Sequence, residues 1–387
     1  MTMVREDNTR TKRQQIYNVA SFFGGVGGID LGLEQTGFFH SVYINEFDRN
    51  ALQTLRINFP RAHIDSRDIR TVHACDVPMV DVMVGGFPCQ AFSIAGYRKG
   101  FDDTRGDLFF EMLRIIRLRK PRAILLENVK NLITHNNGIT FNTIRDSLAQ
   151  NGYYIKWKVM NAKDYGNIPQ NRERLYIVGF NNWADFKAYR FPDKIKLTVE
   201  LTKIINYKNK QGEEYYYRPS RQPFYDKLLK GIKDQNTVYQ WRRQYVRQNK
   251  SGVVPTLTAN MGTGGHNVPL ILTDYGIRKL TPRETFNAMG FPPDFNLPNI
   301  AQSQLYKQAG NSVVVPVIKR IADNMAQAMN QPYVVNQPNN EKIVCYRTGN
   351  AHEGECYDSS LTPSRATARK YVNLLQQNNE RLPGVCW

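Results

Sequence analysis

The sequence predicts an α/β fold: a doubly wound, mostly parallel sheet with helices on both faces, accompanied by a smaller, irregular and basic second domain. Three observations predict it. Between Tyr17 and Phe180, short apolar runs alternate with amphipathic stretches, the rhythm of strands and helices in a parallel sheet. A glycine-rich turn, Phe23-Gly24-Gly25-Val26-Gly27-Gly28, follows the first apolar run. Finally, Gly85-Gly86-Phe87-Pro88-Cys89-Gln90 places a cysteine on a Gly/Pro-rich loop directly after Val80-Asp81-Val82-Met83-Val84. In open α/β sheets, ligands gather at the loops that leave the carboxyl ends of strands.

Taken in order, strands are expected at Asn18–Phe23, Ser41–Asn45, Val80–Val84, Ala123–Leu126, Tyr154–Val159 and Leu175–Phe180. Their near-continuous apolar character suits strands buried on both faces. Helical patterns lie between them at Ile29–Glu34, Ala51–Asn58, Leu108–Arg119 and Asn142–Gln150. Beyond Asn181 the pattern degrades. Residues 203–250 hold twelve Lys and Arg against four Asp and Glu, with Tyr207, Tyr215–Tyr217, Tyr239, Trp241 and Tyr245 interleaved. Order returns at Thr281–Met289, where Pro282 suits a first helical turn, and at Val313–Met329. After Gln331-Pro332 follow a polar run (Asn336–Asn340) and one helical pattern, Pro363–Gln377.

The chain has 387 residues, with 52 Lys and Arg against 34 Asp and Glu, a net charge of +18. Such an excess predicts attraction to a polyanion. Because the basic residues are spread among Tyr, Trp and Asn, nucleic acid is the expected partner rather than a membrane surface. No apolar run reaches the length that spans a bilayer. The five cysteines (Cys75, Cys89, Cys345, Cys356 and Cys386) form no CxxC pair. With no signal peptide read at the polar N-terminus, a reducing cytoplasm is expected. Cys345, His352 and Cys356 offer three candidate ligands where a structural zinc needs four, so no metal is expected.

Glycines in the first turn let the backbone approach a ligand at a helix N-terminus, although their spacing is not the full dinucleotide pattern. About twenty residues on, Glu46 stands where a carboxylate accepts hydrogen bonds from ribose hydroxyls, and Asp68 is placed to bind an adenine amino group. The turn by itself reads equally as a plain turn with solvated acids; the two acids at successive strand ends favour a nucleoside site. Cys89 lies on a loop whose Gly96, Gly100 and Gly106 suit a closing lid, and is a candidate nucleophile. Glu127 ends the apolar strand Ala123–Leu126, where burial raises a carboxyl pKa and suits an acid; a helix-capping acid is the alternative. Arg172 and Arg174 alternate onto one face of an entering strand. Alone they read as an edge-strand pair; beside the other two motifs they supply fixed positive charge.

Together, Phe23–Gly28, Glu46, Phe87-Pro88-Cys89-Gln90, Glu127-Asn128-Val129, Gln170-x-Arg172-x-Arg174 and Gly310-Asn311-Ser312-Val313-Val314 resemble, in order and spacing, the DNA (cytosine-5) methyltransferases of bacterial restriction–modification type. The resemblance spans Val19–Phe180 and Arg278–Met329. Ser21 departs from the Asp often found there in the family, although several members carry Ser.

The resemblance implies a class I, Rossmann-like catalytic domain that binds S-adenosylmethionine. Domains are expected at 1–15 (a disordered lead-in), 16–185 (catalytic), 186–280 (target recognition), 281–330 (a return to the catalytic domain) and 331–387 (a tail of unknown role). Cys89 is implied as the nucleophile at cytosine C6, Glu127 as the acid at N3, and Arg174 as the contact to O2, with Arg172 in the same catalytic set. The cofactor is expected among Phe23, Gly25, Val26, Gly28, Glu46, Phe47, Asp68, Ile69, Pro88, Asn311 and Ser312, with Pro88 also lining the base pocket. DNA contacts are expected from Gln90, Ser93, Arg98, Lys99, Arg105, Gln170, Trp241, Arg242, Arg243, Thr256, Leu257, His266 and Asn267. The implied protein is a cytoplasmic, nucleoid-associated monomer acting on double-stranded DNA and paired functionally with a restriction endonuclease. Two rivals remain. One is an RNA cytosine-5 methyltransferase of the transfer-RNA-modifying type, against which the long basic insert speaks. The other is a silent DNA-binding regulator, which would need a broken active site.

Overall fold

The computed structural model describes residues 15–88, 108–249, 251–262, 267–331, 346–347 and 352–356. The strands of the main sheet are β1 (Tyr17–Phe22), β2 (Phe39–Asn45), β3 (His63–Asp65), β4 (Val82–Gly85), β5 (Ala123–Val129), β6 (Tyr154–Asn161) and β7 (Glu173–Phe180). A second sheet holds β8 (Tyr239–Trp241), β9 (Val246–Gln248), β10 (Pro269–Thr273) and β11 (Gly276–Lys279), and the tail adds β12 (Tyr346–Arg347) and β13 (Glu353–Cys356) to the first.

The main sheet runs β12-β13-β6-β7-β5-β4-β1-β2-β3. From β3 to β5 every pairing is parallel. On the other side of β5, the pairings β5–β7, β7–β6, β6–β13 and β13–β12 are all antiparallel. Alternation along the strands builds two cores. Val19, Val82, Val84, Ala123 and Leu125 face the helices Gly28–Glu34 and Val315–Met329. Ala20, Phe22, Met83, Ile124 and Leu126 face the helices Leu108–Arg119 and Ile139–Gln150. Successive side chains of a strand point to opposite faces, so a near-continuous apolar run is what a sheet covered on both sides requires.

The chain order reverses where β1 lies between β2 and β4, and the carboxyl ends of these strands form the crevice expected of such a switch point. The returning segment is fastened firmly. A Cβ on Gly32 would lie 2.6 Å from Ile318 Cβ, so only glycine lets the first and last helices pack this closely. Thr281 and Glu284 form a reciprocal capping box at the helix Pro282–Asn287, with Pro282 in its first turn. Glu284 also holds the buried Arg278 guanidinium at 2.7 Å, and Arg278 Nη2 donates to the Asn206 carbonyl. The small sheet buries Tyr239, Trp241, Leu270 and Ile277 against Leu228 and Ile232.

Several elements carry no sequence expectation above, and two of them show why. The helix Gln302–Asn311 is polar apart from Leu305, Tyr306 and Ala309, which are its buried face. Strand β13 reads Glu-Gly-Glu-Cys, without the β-branched residues that mark strands. It pairs with the edge of β6, where the His352 carbonyl accepts from Val159 N–H and Glu353 meets Lys158 at 2.9 Å. The helical pattern Pro363–Gln377 lies outside the described residues.

Asp30, fully buried in the first helix, accepts hydrogen bonds from Ser21 and Ser41, at 3.1 and 2.8 Å. Burial outweighs these two bonds and raises its pKa from 3.8 to about 6. The folded state thus disfavours the charged form. The cost is complete above the folded pKa and fades as pH falls from about 6 towards 3.8. Asp30→Asn is therefore expected to be more stable than the wild type at pH 8, by an amount on the order of 3 kcal/mol, and to lose this advantage near pH 4. Thermal melts at the two pH values check it; equal shifts at both would count against the assignment.

Candidate active site

A cavity of about 870 Å³ opens at the carboxyl ends of β1, β2, β4 and β5. One wall is the glycine turn. Phe23 adopts φ 54°, unusual for a bulky side chain, and Gly25 adopts φ 57°. This exposes the Gly25 N–H, which donates to Glu46 Oε2 at 2.8 Å, while Glu46 Oε1 accepts from Asp48 N–H at 2.7 Å. Burial raises the Glu46 pKa against the pull of these backbone donors. Phe47 stands 67% exposed at the mouth. Asp68 lines the same cavity as the N-cap of the short helix Ile69–Thr71, and its pairing with Arg70 holds its pKa below the usual range. Val26, Gly28, Ile69, Pro88, Asn311 and Ser312 complete this side. A Cβ on Gly28 would meet Ser312 Oγ at 2.5 Å, so the glycine is what lets the last motif approach the first.

The opposite side carries the acid. Glu127 lies within β5, two residues short of its end, which corrects the expectation of a strand ending before it. The pairing of Val129 with Arg174 and of Glu127 with Tyr176 brings the β7 arginine beside the carboxylate, with Arg174 Nε 3.2 Å from Glu127 Oε1. Both side chains are largely buried, and desolvation raises the Glu127 pKa despite the opposing charges of Arg174 and Arg172. Because β7 lies between β5 and β6, the arginines are not an edge-strand pair. A Cβ on Gly86 would sit 3.4 Å from Glu127 Oε2, which places the start of the cysteine loop under the acid. Asn128 Nδ2 donates to the Phe87 carbonyl at 2.8 Å and so ties β5 to the same loop. Cys89 itself lies outside the described residues, as do Gln90, Ser93, Arg98, Lys99, Arg105 and His266.

Several expected site residues are engaged by protein partners. Arg172 is buried, and its terminal nitrogens are committed to the carbonyls of Leu257, Gly310 and Ser312, so it joins backbone segments instead of offering a free fork to a base. Gln170, wholly buried, donates to the Ala288 carbonyl and accepts from Leu257 N–H. Leu257 is packed in the main core and Trp241 is stacked on Phe224, rings 4.7 Å apart. All three side chains are buried against protein partners. Arg242 bonds Asn267 at 3.0 Å, Arg243 is exposed with φ 67°, and Thr256 Oγ1 donates to the Asn171 carbonyl.

Among the site residues not singled out by the sequence are three polar ones. Lys307 pairs with Asp48 at 2.7 Å, and both line the cavity. Gln308 accepts from Thr54 Oγ1 at 2.9 Å at its wall. Asn128 stood in the Glu127-Asn128-Val129 motif but carried no separate signal of its own.

The family model described as C-5 cytosine-specific DNA methylase matches residues 17–327. The chain belongs to this family. The methylase is 57% identical to the Type II methyltransferase M.Bsp6I of Bacillus sp. (strain RFL6) over 312 residues, 80% of this chain and 99% of that relative. It is 35% identical to the Type II methyltransferase M.HhaI of Haemophilus parahaemolyticus over 333 residues, 80% of this chain and 95% of the other. Its fold is similar to that of the S. pombe Dnmt2 methyltransferase, with TM-score 0.64 at 18% identity, covering 81% of this chain and all of that structure. The methylase is thus a cytosine-5 DNA methyltransferase with an α/β, class I architecture. Among its described residues, no helix is long and apolar enough to cross a membrane.

Proposed function

We propose that this methylase acts on a cytosine flipped out of a short, specific duplex sequence, through a covalent bond between Cys89 Sγ and cytosine C6. The observation that carries this reading is the largely buried Glu127–Arg174 pair, 3.2 Å apart, in the cavity that also holds Glu46, Phe47 and Pro88, the last next to Cys89 in the chain. C6 is hidden inside the base stack, and flipping costs a few kcal/mol. A thiolate adding at C6 forms the S–C bond and breaks the aromaticity of the ring. Negative charge then moves onto N3 and O2. Glu127, whose pKa burial raises, is the donor to N3, and Arg174 faces O2, so charge is neutralised where it develops. The electron-rich enamine makes C5 the nucleophile. Once C5 has taken the methyl group, breaking its bond to the sulfonium sulfur and leaving the neutral thioether, a water-borne base takes the C5 proton, the N3 proton returns to Glu127, and departure of the thiolate restores the ring.

S-adenosylmethionine, when bound, supplies an electrophilic methyl group. The residues fit it: Glu46 faces the cavity as a hydroxyl acceptor, Phe47 presents an open ring, and Asn311 and Ser312 add polar groups. On the DNA side, Arg98, Lys99 and Arg105 are proposed on phosphates, and Gln90 and Ser93 are proposed as further DNA contacts. Arg242, Arg243, Thr256, His266 and Asn267 are proposed at the groove, where Arg and Asn side chains read guanine and adenine edges. Double-stranded DNA is preferred over RNA because of the basic excess in residues 203–250. The names of the Type II relatives support a role in protecting host DNA from a cognate restriction endonuclease.

Mapping methylcytosine in DNA from cells expressing the protein identifies the target duplex. With 5-fluorocytosine placed at the modified position, the wild type is expected to form a covalent adduct that survives denaturation. Cys89→Ala is expected to form none and to lose methyl transfer while still binding DNA. Residual turnover in that variant, or no adduct from a wild type that methylates the unfluorinated duplex, overturns the nucleophile.

A further inference from the structure

We infer that Arg172 is a positioning residue that couples cofactor binding to DNA binding by clamping together the backbone of the recognition segment and the backbone of the cofactor loop. The inference rests on the functional reading above for what the two segments bind. Its own ground is the path of hydrogen bonds. Arg172 Nη1 donates to the Leu257 carbonyl at 2.8 Å, whereas Nη2 donates to the carbonyls of Gly310 and Ser312, at 3.1 and 2.5 Å. Leu257 belongs to the stretch proposed to meet DNA. Gly310 and Ser312 flank Asn311 on the cavity wall. One buried guanidinium therefore serves carbonyls on two segments about fifty residues apart in the chain, which only the fixed five-donor fork of arginine does.

A second contact makes the two segments one body. Gly310 packs so tightly that a Cβ there would fall 2.2 Å from the Thr258 carbonyl carbon and 2.4 Å from Ala259 N. Ala259 is itself a cavity-wall residue. The recognition segment is also anchored to the catalytic strands: Val254 N–H donates to the Pro169 carbonyl, and Asn171 N–H to the Val254 carbonyl. A ligand that orders Asn311 and Ser312 thus orders Leu257 through Arg172, and lowers the ordering cost left for the second ligand. Linkage makes the effect reciprocal.

The test is the affinity of S-adenosylhomocysteine, an unreactive probe, measured by calorimetry without and with the saturating target duplex found by methylation mapping. In the wild type, DNA is expected to tighten this probe by about five- to a hundredfold. In Arg172→Lys the protein remains folded and binds each partner alone, but the ratio falls close to one. A folded Arg172→Lys with the wild-type ratio overturns the inference, as does a wild type with no coupling. Should the variant fail to fold, amide exchange of the wild type decides: the probe alone must slow exchange across Val254–Gly262, and unchanged exchange there overturns the clamp. A wild type that does not methylate duplex cytosine would overturn the functional reading itself, whereas methylation without coupling overturns only the clamp.

Discussion

Glu127→Gln is expected to slow methyl transfer by roughly 10²- to 10⁴-fold, the range in which a positioned acid contributes, while leaving a folded protein. Glutamine keeps the shape and an acceptor for Arg174 but has no acidic proton to give to N3. The pH dependence follows from the raised pKa, whose first cause is burial. The working form is the neutral acid, so activity persists below the raised pKa and is lost as pH rises through it. In the variant this alkaline limb disappears. Stability falls over the same range. The folded state penalises the carboxylate, a cost present above the raised pKa and relieved as pH falls towards the unfolded value. Glu127→Gln removes that cost, so its melting temperature at pH 8 is expected to be no lower than that of the wild type. A near-wild-type rate in the variant, or a clearly lower melting temperature at pH 8, contradicts the role of a buried neutral acid.

The second large effect is expected at Gly310. Ala is favoured over Gly in a helix by about 1 kcal/mol, and Gly310 lies in the helix Gln302–Asn311, so propensity alone predicts a gain. Packing predicts a loss. The added methyl meets backbone atoms of Thr258 and Ala259 at 2.2 and 2.4 Å, which no rotamer change relieves. Overpacking of this kind costs typically 1–3 kcal/mol and sometimes more. The displaced loop carries Asn311 and Ser312, so Gly310→Ala is expected to lower the melting temperature and to abolish measurable binding of S-adenosylhomocysteine. Gly25→Ala is the informative contrast. Among the described residues nothing lies within 4 Å of its Cβ, and it is the φ of 57° that opposes the substitution, a strain of about 1–2 kcal/mol. An unchanged affinity and melting temperature in Gly310→Ala would show that the two segments do not pack together as described.

The readable parts of this chain were those in which one residue's chemistry is decided by its immediate neighbours. Continuous apolar runs placed β1, β4 and β5 within a residue or a few of their positions, because a strand covered on both faces has no other composition. Glu46 and the glycine turn were legible because a strand end and a sharp turn are local events. The stacking of Trp241 on Phe224 was not legible, for the converse reason. An aromatic among basic residues looks the same whether it stacks on a base or on Phe224, and the partner ring arrives from another element. The helix Gln302–Asn311 was missed since only three of its side chains are apolar and buried.

The amino-acid order by itself determined the chemistry available: an acid after one apolar run, arginines before another, a cysteine on a glycine-rich loop, and a basic excess suited to a polyanion. Only the tertiary structure decided which groups act on one another. The antiparallel register of β5 against β7 brings Arg174 to Glu127. The arrival of Leu257, Gly310 and Ser312 around Arg172 turns one member of an arginine pair into a backbone clamp while the other faces the cavity. The physical reason is that carbonyls and guanidinium groups are common to every such chain. Their pairing depends on distances set by the whole core, and those are not encoded in any single motif.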